Sequence, residues 1–264
     1  MTNLSTYLKE EVKNKYSEIA VKSNKGCGCG CSGDSDPTDF SENYKKLDGY
    51  VKEADLGLGC GIPTEFADIR KGDTVVDLGS GAGNDVFVAR SIVGDEGEVI
   101  GIDFTDEMIN KANRNLSKLG YKNVSFKYGD IENLPLEENS ANVVISNCVL
   151  NLVPDKNKAF AEIYRVLKKG GHFCVSDIVT SGDLPDKLRE VAALYAGCVS
   201  GALKQSEYIE IINSSGFKDV SIKKSKANDL PDNYLLEHIS PVELEEFKES
   251  GAGLFSITVV GYKR

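Results

Sequence analysis

The sequence has 264 residues, a formal net charge of −10 at neutral pH, 41% hydrophobic and 27% charged residues, and seven cysteines. This balance describes a globular chain long enough to bury a full core, and its acidity excludes the clustered Lys and Arg that a nucleic-acid backbone requires. No stretch approaches the roughly eighteen consecutive apolar residues of a membrane span, and the polar N-terminus lacks the apolar centre of a secretion signal.

An odd number of cysteines without such a signal implies a reducing, cytoplasmic compartment. Thiols there serve as ligands or catalysts more often than as structural disulfides. The first predicted element is an amphipathic helix over about residues 7–21, where Leu8, Val12, Tyr16 and Ile19 recur at helical spacing. Glu10/Lys13 and Glu11/Lys15 support it as i,i+3 and i,i+4 pairs. A glycine-rich arm follows, Gly26-Cys27-Gly28-Cys29-Gly30-Cys31-Ser32-Gly33. Nearest neighbours of an extended chain point to opposite sides, and these alternate cysteines are badly placed to pair with one another. They look outward to a soft metal, a distant thiol or nothing. A short helix is expected around 41–51, and then a loop in which Gly59 and Gly61 flank Cys60 and leave its thiol accessible.

The chain is organised around the next stretch. Thr74-Val75-Val76-Asp77-Leu78 reads as a strand, Gly79, Gly81 and Gly83 as a tight turn, and Asn84 to Arg90 as a helix start. A dinucleotide fingerprint would need its third glycine at the sixth position of the motif, where Asn84 stands, and no Gly-Lys-Ser/Thr phosphate loop follows. Asp77 at the strand end would repel a pyrophosphate and attract a cation. The next strand, Glu98 to Asp103, also ends in an acid, suited to accept hydrogen bonds from both hydroxyls of a ribose. Thr105 caps a helix over 106–118 that ends near Gly120; its Met108 belongs either to an adenine contact or to the core. Val124 to Tyr128 precedes Gly129-Asp130-Ile131, and Asn142 to Asn147 is the fourth strand. Cys148 directly follows it, where an open α/β sheet faces its ligand crevice.

A helix over 156–168 and a strand over 171–177 come next, with Cys174 expected as a small buried hydrophobe. The pattern breaks at Gly182 to Pro185 and resumes as a helix over 187–196, a small-residue loop carrying Cys198, a helix over 205–214, and strands over 217–223 and 254–262. His172 and His238 are read as structural or surface residues. The predicted architecture is α/β: a Rossmann-like sheet of seven strands with helices on both faces and a C-terminal substrate cap. It divides into an N-terminal helix and cysteine-rich arm (1–36), a cofactor-binding α/β domain (37–180), and a substrate region with the closing strands (181–264).

The glycine motif, with acids at Asp77 and Asp103 and the Gly129-Asp130 pair, resembles the class I S-adenosylmethionine-dependent methyltransferases. Gly59-Cys60-Gly61, Asn147-Cys148-Val149 and Gly197-Cys198-Val199-Ser200-Gly201 narrow the resemblance to the arsenite S-adenosylmethionine methyltransferases. The resemblance implies S-adenosylmethionine held by Asp77, Gly79, Ser80, Gly81, Gly83, Asp85, Asp103, Phe104, Met108, Asp130, Ile131 and Asn147. It implies trivalent arsenic, delivered as a thiol conjugate, held by Cys60, Cys148 and Cys198. A further cysteine near the N-terminus would form a disulfide that returns electrons to arsenic. Cys31 matches it by spacing, with Cys29 and Cys27 as alternatives. A small thiol or thioredoxin-type reductant is the implied partner, with no nucleic acid and no membrane.

The chemistry is consistent with that set. Trivalent arsenic is soft and takes thiolates, and its lone pair carries no proton for a general base to remove. Two other readings compete: a carbon methyltransferase acting on a quinone or sterol-like ring, and a thiol-rich metalloid-binding protein without turnover.

Overall fold

The structure, a computed structural model, describes residues 2–22, 40–185, 187 and 202–264. Seven strands form one sheet in the order β3-β2-β1-β4-β5-β7-β6. They are β1 (Thr74–Leu78), β2 (Glu98–Asp103), β3 (Val124–Tyr128), β4 (Ala141–Asn147), β5 (Leu167–Ser181), β6 (Lys218–Asn228) and β7 (Gly253–Tyr262). The first five run parallel, and β7 returns antiparallel between β5 and β6. Strand order reverses at β1, so the carboxyl ends of β1 and β4 flank the crevice where open α/β sheets bind ligands.

The parallel strands are apolar on both faces because helices cover both. Adjacent residues alternate sides: Val75, Val99, Val143 and Cys174 pack into one core, whereas Val76, Ile100, Val144 and Phe173 pack into the other. The first core is closed by α2 (Asn84–Val93) and α3 (Asp106–Leu119), the second by α4 (Lys156–Val166) and α5 (Gln205–Ser214). In the second core Phe160 meets Phe173, Tyr208 and Phe217 edge-on, with centroids 5.7, 5.8 and 6.5 Å away. This is the favoured geometry for aromatic quadrupoles. Helix α1 (Thr2–Lys22) lies along α3.

Several elements depart from the sequence reading. The helix expected around 41–51 is a single 3-10 turn, Tyr44–Lys46, capped by the Asn43 side chain accepting from Lys45 N–H at 3.1 Å. Gly49 prevents continuation: its φ is +84°, and a Cβ there would lie 3.0 Å from the Phe87 carbonyl carbon. Helix α4 stops at Val166, two residues early, because Leu167 turns extended and pairs with Ala141. Strand β5 continues to Ser181, so the expected boundary at 180/181 falls inside it, and β6 and β7 extend the same sheet. Two further helices, α6 (Asp232–Leu235) and α7 (Pro241–Ser250), lie between the closing strands. The sequence carried a signal for α7, since Ser240 and Glu243 form a reciprocal capping box with Pro241 at the first helical position.

No helix among the described residues is long and apolar enough to cross a membrane. The expected helix over 187–196 lies outside the described residues apart from Lys187. Phe160 anchors three aromatic contacts while fully buried. Phe160→Ala is therefore expected to destabilise the fold by about 3–5 kcal/mol, measured as a lowered urea midpoint with an unchanged slope.

Candidate functional site

A cleft opens at the carboxyl ends of β1, β2 and β4. Its floor is the glycine turn. Gly79 and Ser80 donate their backbone N–H groups to the Ile102 carbonyl at 2.8 and 2.9 Å, and Gly81 donates to Asp103 Oδ2 at 2.9 Å. Gly79 has φ +67°, and a Cβ on it would lie 2.5 Å from the Val149 methyls. Its lack of a side chain therefore lets the segment after β4 close against the turn. Asp103 also accepts from Thr105 N–H at 2.8 Å. Its carboxylate thus holds the loops on both sides of the cleft.

The lining has a single sign of charge. Glu42, Asp55, Asp77, Asp85 and Asp103 line it, and among the described residues no Lys, Arg or His does. Asp77, Asp85 and Asp103 are all buried. Burial, then the Asp85 and Asp103 charges, hold the Asp77 carboxyl well above the usual range. Burial pushes Asp85 up to about 6, against hydrogen bonds from Asn147 and Tyr44 that favour its charged form. Burial also raises Asp103, opposed by backbone donors at Thr105 and Gly81. Glu42 is paired with Lys224 and Lys226, but among the described residues no ion pair reaches Asp77, Asp85 or Asp103, and buried carboxylates gathered in this way call for a cationic ligand. A sulfonium with an ammonium group fits, and a pyrophosphate does not. Ser80 Oγ and Asn84 Oδ1, both lining the cleft, are buried without a hydrogen-bond partner, which leaves them available to a polar ligand. The residues present therefore fit S-adenosylmethionine.

Ten of the residues expected to hold the cofactor line this cleft: Asp77, Gly79, Ser80, Gly81, Asp85, Asp103, Phe104, Met108, Ile131 and Asn147. Met108 is buried as well as lining, so the two alternatives for it merge. Gly83 and Asp130 do not line it. Gly83 has φ +98° at the N-cap of α2, and its missing Cβ makes room for the Phe87 and Phe126 rings at 2.8 Å. Asp130 turns away, because Lys9 donates to its Oδ2 at 2.6 Å and Glu132 N–H to its Oδ1 at 2.9 Å.

At the inner end of the cleft the Asn147 side chain joins three segments. Its Oδ1 accepts from Cys60 N–H at 3.1 Å, and its Nδ2 lies 2.8 Å from the Gly61 carbonyl and 2.7 Å from Tyr44 Oη. The Tyr44 hydroxyl lies 3.0 Å from Asp85 and 2.9 Å from the Gly61 carbonyl. The glycines beside Cys60 do more than loosen a loop. A Cβ at Gly59 would fall 2.5 Å from Asn147 Nδ2, and one at Gly61 would fall 2.5 Å from Ser176 Oγ.

This close approach brings Cys60 and Cys148, 88 residues apart in sequence, to a Cα separation of 5.8 Å, and their sulfurs are bonded to each other. The separation lies within the disulfide range. Cys60 was expected as an accessible thiol and Cys148 as one facing the ligand crevice; Cys148 does line the cleft, and the two are joined and buried, at 3% and 4% exposure. Ile178, Leu184 and Leu254 pack around them, with Phe40, Leu230 and Phe247 beyond. Leu230 and Phe247 also pack against Leu235, Ile239 and Leu244, which ties α6 and α7 to the cysteine pair as a cap.

Cys148 has φ +59°, a left-handed conformation that costs a non-glycine residue on the order of 1 kcal/mol. Its N–H donates to the Ser176 carbonyl at 2.8 Å. The turn that follows is pinned by Asn151 Nδ2 donating to the Ile178 carbonyl at 2.6 Å, and by Lys156 Nζ donating to the Asn151 and Val153 carbonyls. Cys174 sits in the core with its thiol on the Pro63 carbonyl at 3.2 Å, and burial raises its pKa. His172 is buried against the Ala67 carbonyl, and His238 packs on Tyr234. Neither lines the cleft. Cys27, Cys29, Cys31 and Cys198 lie outside the described residues.

Sequence reasoning missed Tyr44, Val12 and Tyr16, all of which line the cleft. Val12 and Tyr16 stood on the recognised apolar face of the first helix, but nothing local named the surface that face meets. Tyr44 carried no such signal.

Comparison with known proteins agrees with this geometry. A family model described as "Methyltransferase domain" matches residues 69–216. An arsenite methyltransferase of Halobacterium salinarum is 42% identical over 229 residues, which is 81% of this chain and 58% of that protein. One from Aquipseudomonas alcaligenes is 37% identical, over 69% of this chain and 54% of its own length. The crystal structure of an arsenic(III) S-adenosylmethionine methyltransferase from Chlamydomonas reinhardtii superposes with a TM-score of 0.67. It has 35% identity and covers 78% of this chain and 67% of that one. The chain thus spans little more than half the length of the two curated relatives.

The raised Asp85 pKa gives a test with a definite sign. Below about 6 the carboxyl is neutral and no longer attracts a cation. Affinity for S-adenosylmethionine is expected to fall toward about tenfold per pH unit on that side, measured by calorimetry between roughly pH 5 and 8. Asp85→Asn flattens the dependence. For folding the sign is opposite. A carboxyl whose folded pKa is raised favours the cofactor-free fold as pH drops from above the folded value toward the unfolded one, so acid unfolding does not mimic the loss.

Proposed function

This chain belongs to the methyltransferase-domain family, and within it to the arsenite S-adenosylmethionine methyltransferases, and we propose that it transfers methyl groups from S-adenosylmethionine to thiolate-bound trivalent arsenic. The observation that carries this reading is the meeting of Cys60 and Cys148 beside an acidic cleft that suits the cofactor. S-adenosylmethionine supplies an electrophilic methyl group on a positively charged sulfur.

The chain's own residues supply position and polarity. Asp77, Asp85 and Asp103 favour the charged cofactor over its neutral demethylated product, because only the former carries the sulfonium. Cys60 and Cys148, with Cys198 as the third thiol, hold arsenic with its lone pair free. Positioning then provides most of the acceleration. The apolar surround of the pair excludes water and suits a substrate that becomes more apolar with each methyl group.

On this reading the order of events begins from the bonded pair. Two electrons and two protons from a small thiol or thioredoxin-type protein convert the disulfide to two thiols and leave the donor oxidised. Arsenic then exchanges its own thiolate or hydroxide ligands for the protein thiols, each departing ligand leaving with one thiol proton. As its lone pair forms the As–C bond, the bond from the methyl group to the sulfonium sulfur breaks, the sulfur keeps that electron pair as a neutral thioether, and arsenic passes to the pentavalent state. Two thiolates that leave as a disulfide return the electron pair and restore trivalent arsenic. The 5.8 Å Cα separation of Cys60 and Cys148 supports that pair as the source of the disulfide, beside the relay cysteine expected at Cys31, Cys29 or Cys27. Nothing in this sequence removes a proton from the attacking atom, in keeping with a cleft without histidine.

The test is product speciation after incubation with S-adenosylmethionine, arsenite and a defined thiol. Cys148→Ser and Cys198→Ser each replace a soft thiolate by a hydroxyl that stays protonated. Each is expected to lower methylation of every arsenical by about a hundredfold or more while S-adenosylmethionine binding stays near wild type. Cys60→Ser is expected to lose arsenite turnover and retain some activity on a monomethylated substrate, which needs fewer thiols. Undiminished arsenic methylation by the Cys148→Ser, Cys198→Ser double variant overturns the mechanism.

A further inference from the structure

Helix α1 has a composition unsuited to ordinary core packing. Of its described side chains only Ala20 is buried, and Tyr7, Leu8 and Val21 are about half exposed. Its docking rests instead on polar contacts at positions spaced along one helical face. Lys9 Nζ donates to Asp130 Oδ2 and Glu132 Oε2, both at 2.6 Å. One turn on, Lys13 Nζ donates to Asp106 Oδ2 at 3.1 Å and lies 5.2 Å from the centre of the Tyr128 ring. A further turn on, Ser17 Oγ donates to Glu107 at 2.7 Å. The acids that receive these contacts sit on two segments, the first turn of α3 and the loop after β3. Those segments also supply Met108 and Ile131 to the cleft.

Between the clasping residues, Val12 and Tyr16 project from the same face and line the cleft. The helix is therefore one wall of the cofactor site, attached by ion pairs across the mouth rather than by a buried apolar seam. From this arrangement we infer that α1 is a cofactor lid, with Val12 and Tyr16 as binding residues and Lys9 and Lys13 as positioning residues that hold it shut. The lid shuts over S-adenosylmethionine and opens for exchange with its demethylated product. Ion pairs at 27% and 36% side-chain exposure on the lysines are individually weak and screened by salt. A clasp made of several such pairs holds firmly enough to retain a ligand and still opens on a catalytic timescale. Because no basic residue among those described lines the cleft, the clasp also keeps both lysines turned away from the cationic cofactor.

The inference rests on S-adenosylmethionine binding in this cleft and is independent of the arsenic step. Its test uses the full chain with S-adenosylmethionine as ligand. Calorimetry gives affinity and rapid filtration of radiolabelled cofactor gives the release rate, each from roughly 0.05 to 0.5 M NaCl. The Lys9→Ala, Lys13→Ala double variant is expected to bind about tenfold more weakly, equivalent to about 1.4 kcal/mol. Most of that change appears as faster release, with a salt dependence smaller than that of wild type. Lys9→Arg, Lys13→Arg keeps the charges and restores tight binding. Tyr16→Ala removes the wall while keeping the clasp, so it raises Kd and leaves the salt slope at the wild-type value. Wild-type affinity and salt slope in the alanine double variant overturn the lid while leaving the cofactor assignment intact. Failure of the wild-type chain to bind S-adenosylmethionine overturns both.

Discussion

The Asn147 side chain is the contact on which the site depends. One amide at the end of β4 receives the Cys60 N–H, meets the Gly61 carbonyl and approaches Tyr44, which itself lies against Asp85. A half-buried amide of this kind is costly to leave unpaired, so its bonds fix the loop it touches. Without it the Cys60 loop would have no register against the sheet, and Cys60 would not meet Cys148. The same group links the thiol pair to the cofactor cleft, since Asp85 belongs to both the Tyr44 contact and the acidic lining. The glycines at 59 and 61 follow from this constraint, because any side chain there would occupy the space of Asn147 or Ser176.

The acidic cleft is a place where the fold works against itself. Burying Asp77, Asp85 and Asp103 together raises their pKa values, and no basic side chain of the cleft lining relieves them. Uncompensated buried charge destabilises a fold. It is tolerated where a ligand supplies the missing opposite charge, and binding then gains what folding gave up. Cys148 repeats the pattern on a smaller scale, with a left-handed backbone held by a strand-to-turn hydrogen bond to Ser176. Strain and unpaired charge thus gather at the same end of the sheet, where the ligand crevice lies.

The rest of the molecule is ordinary by comparison. Two apolar cores flank the sheet, and a C-terminal helix pair packs beside the cysteines through Leu230 and Phe247. Rigid strands deliver the chemical groups, and the less regular segments before β1 and after β5 complete their surroundings. This division explains how a sheet shared by many methyltransferases is adapted to a particular acceptor by loops and added helices.

What the sequence determined by itself was local. The alternation in β1, β2 and β4 marked strands because period-two patterning records burial directly. Gly79 and Gly81 marked the turn because few other residues accept that backbone, and Asp77 and Asp103 marked the ligand's charge because acids at strand ends meet the crevice. The cysteine loops were visible for the same reason, each being a short string with its own flanks. Tertiary structure decided whatever depended on residues far apart in the chain. It joined Cys60 to Cys148, turned Asp130 outward to Lys9, gave Gly83 to the packing of Phe87 and Phe126, and drew Lys13 from its neighbour Glu10 to Asp106. It also brought α1 and Tyr44 into the cofactor site. A residue's own conformational preference is written in its immediate neighbours, whereas the partner of a charge, an amide or a thiol is set by where the sheet carries the rest of the chain.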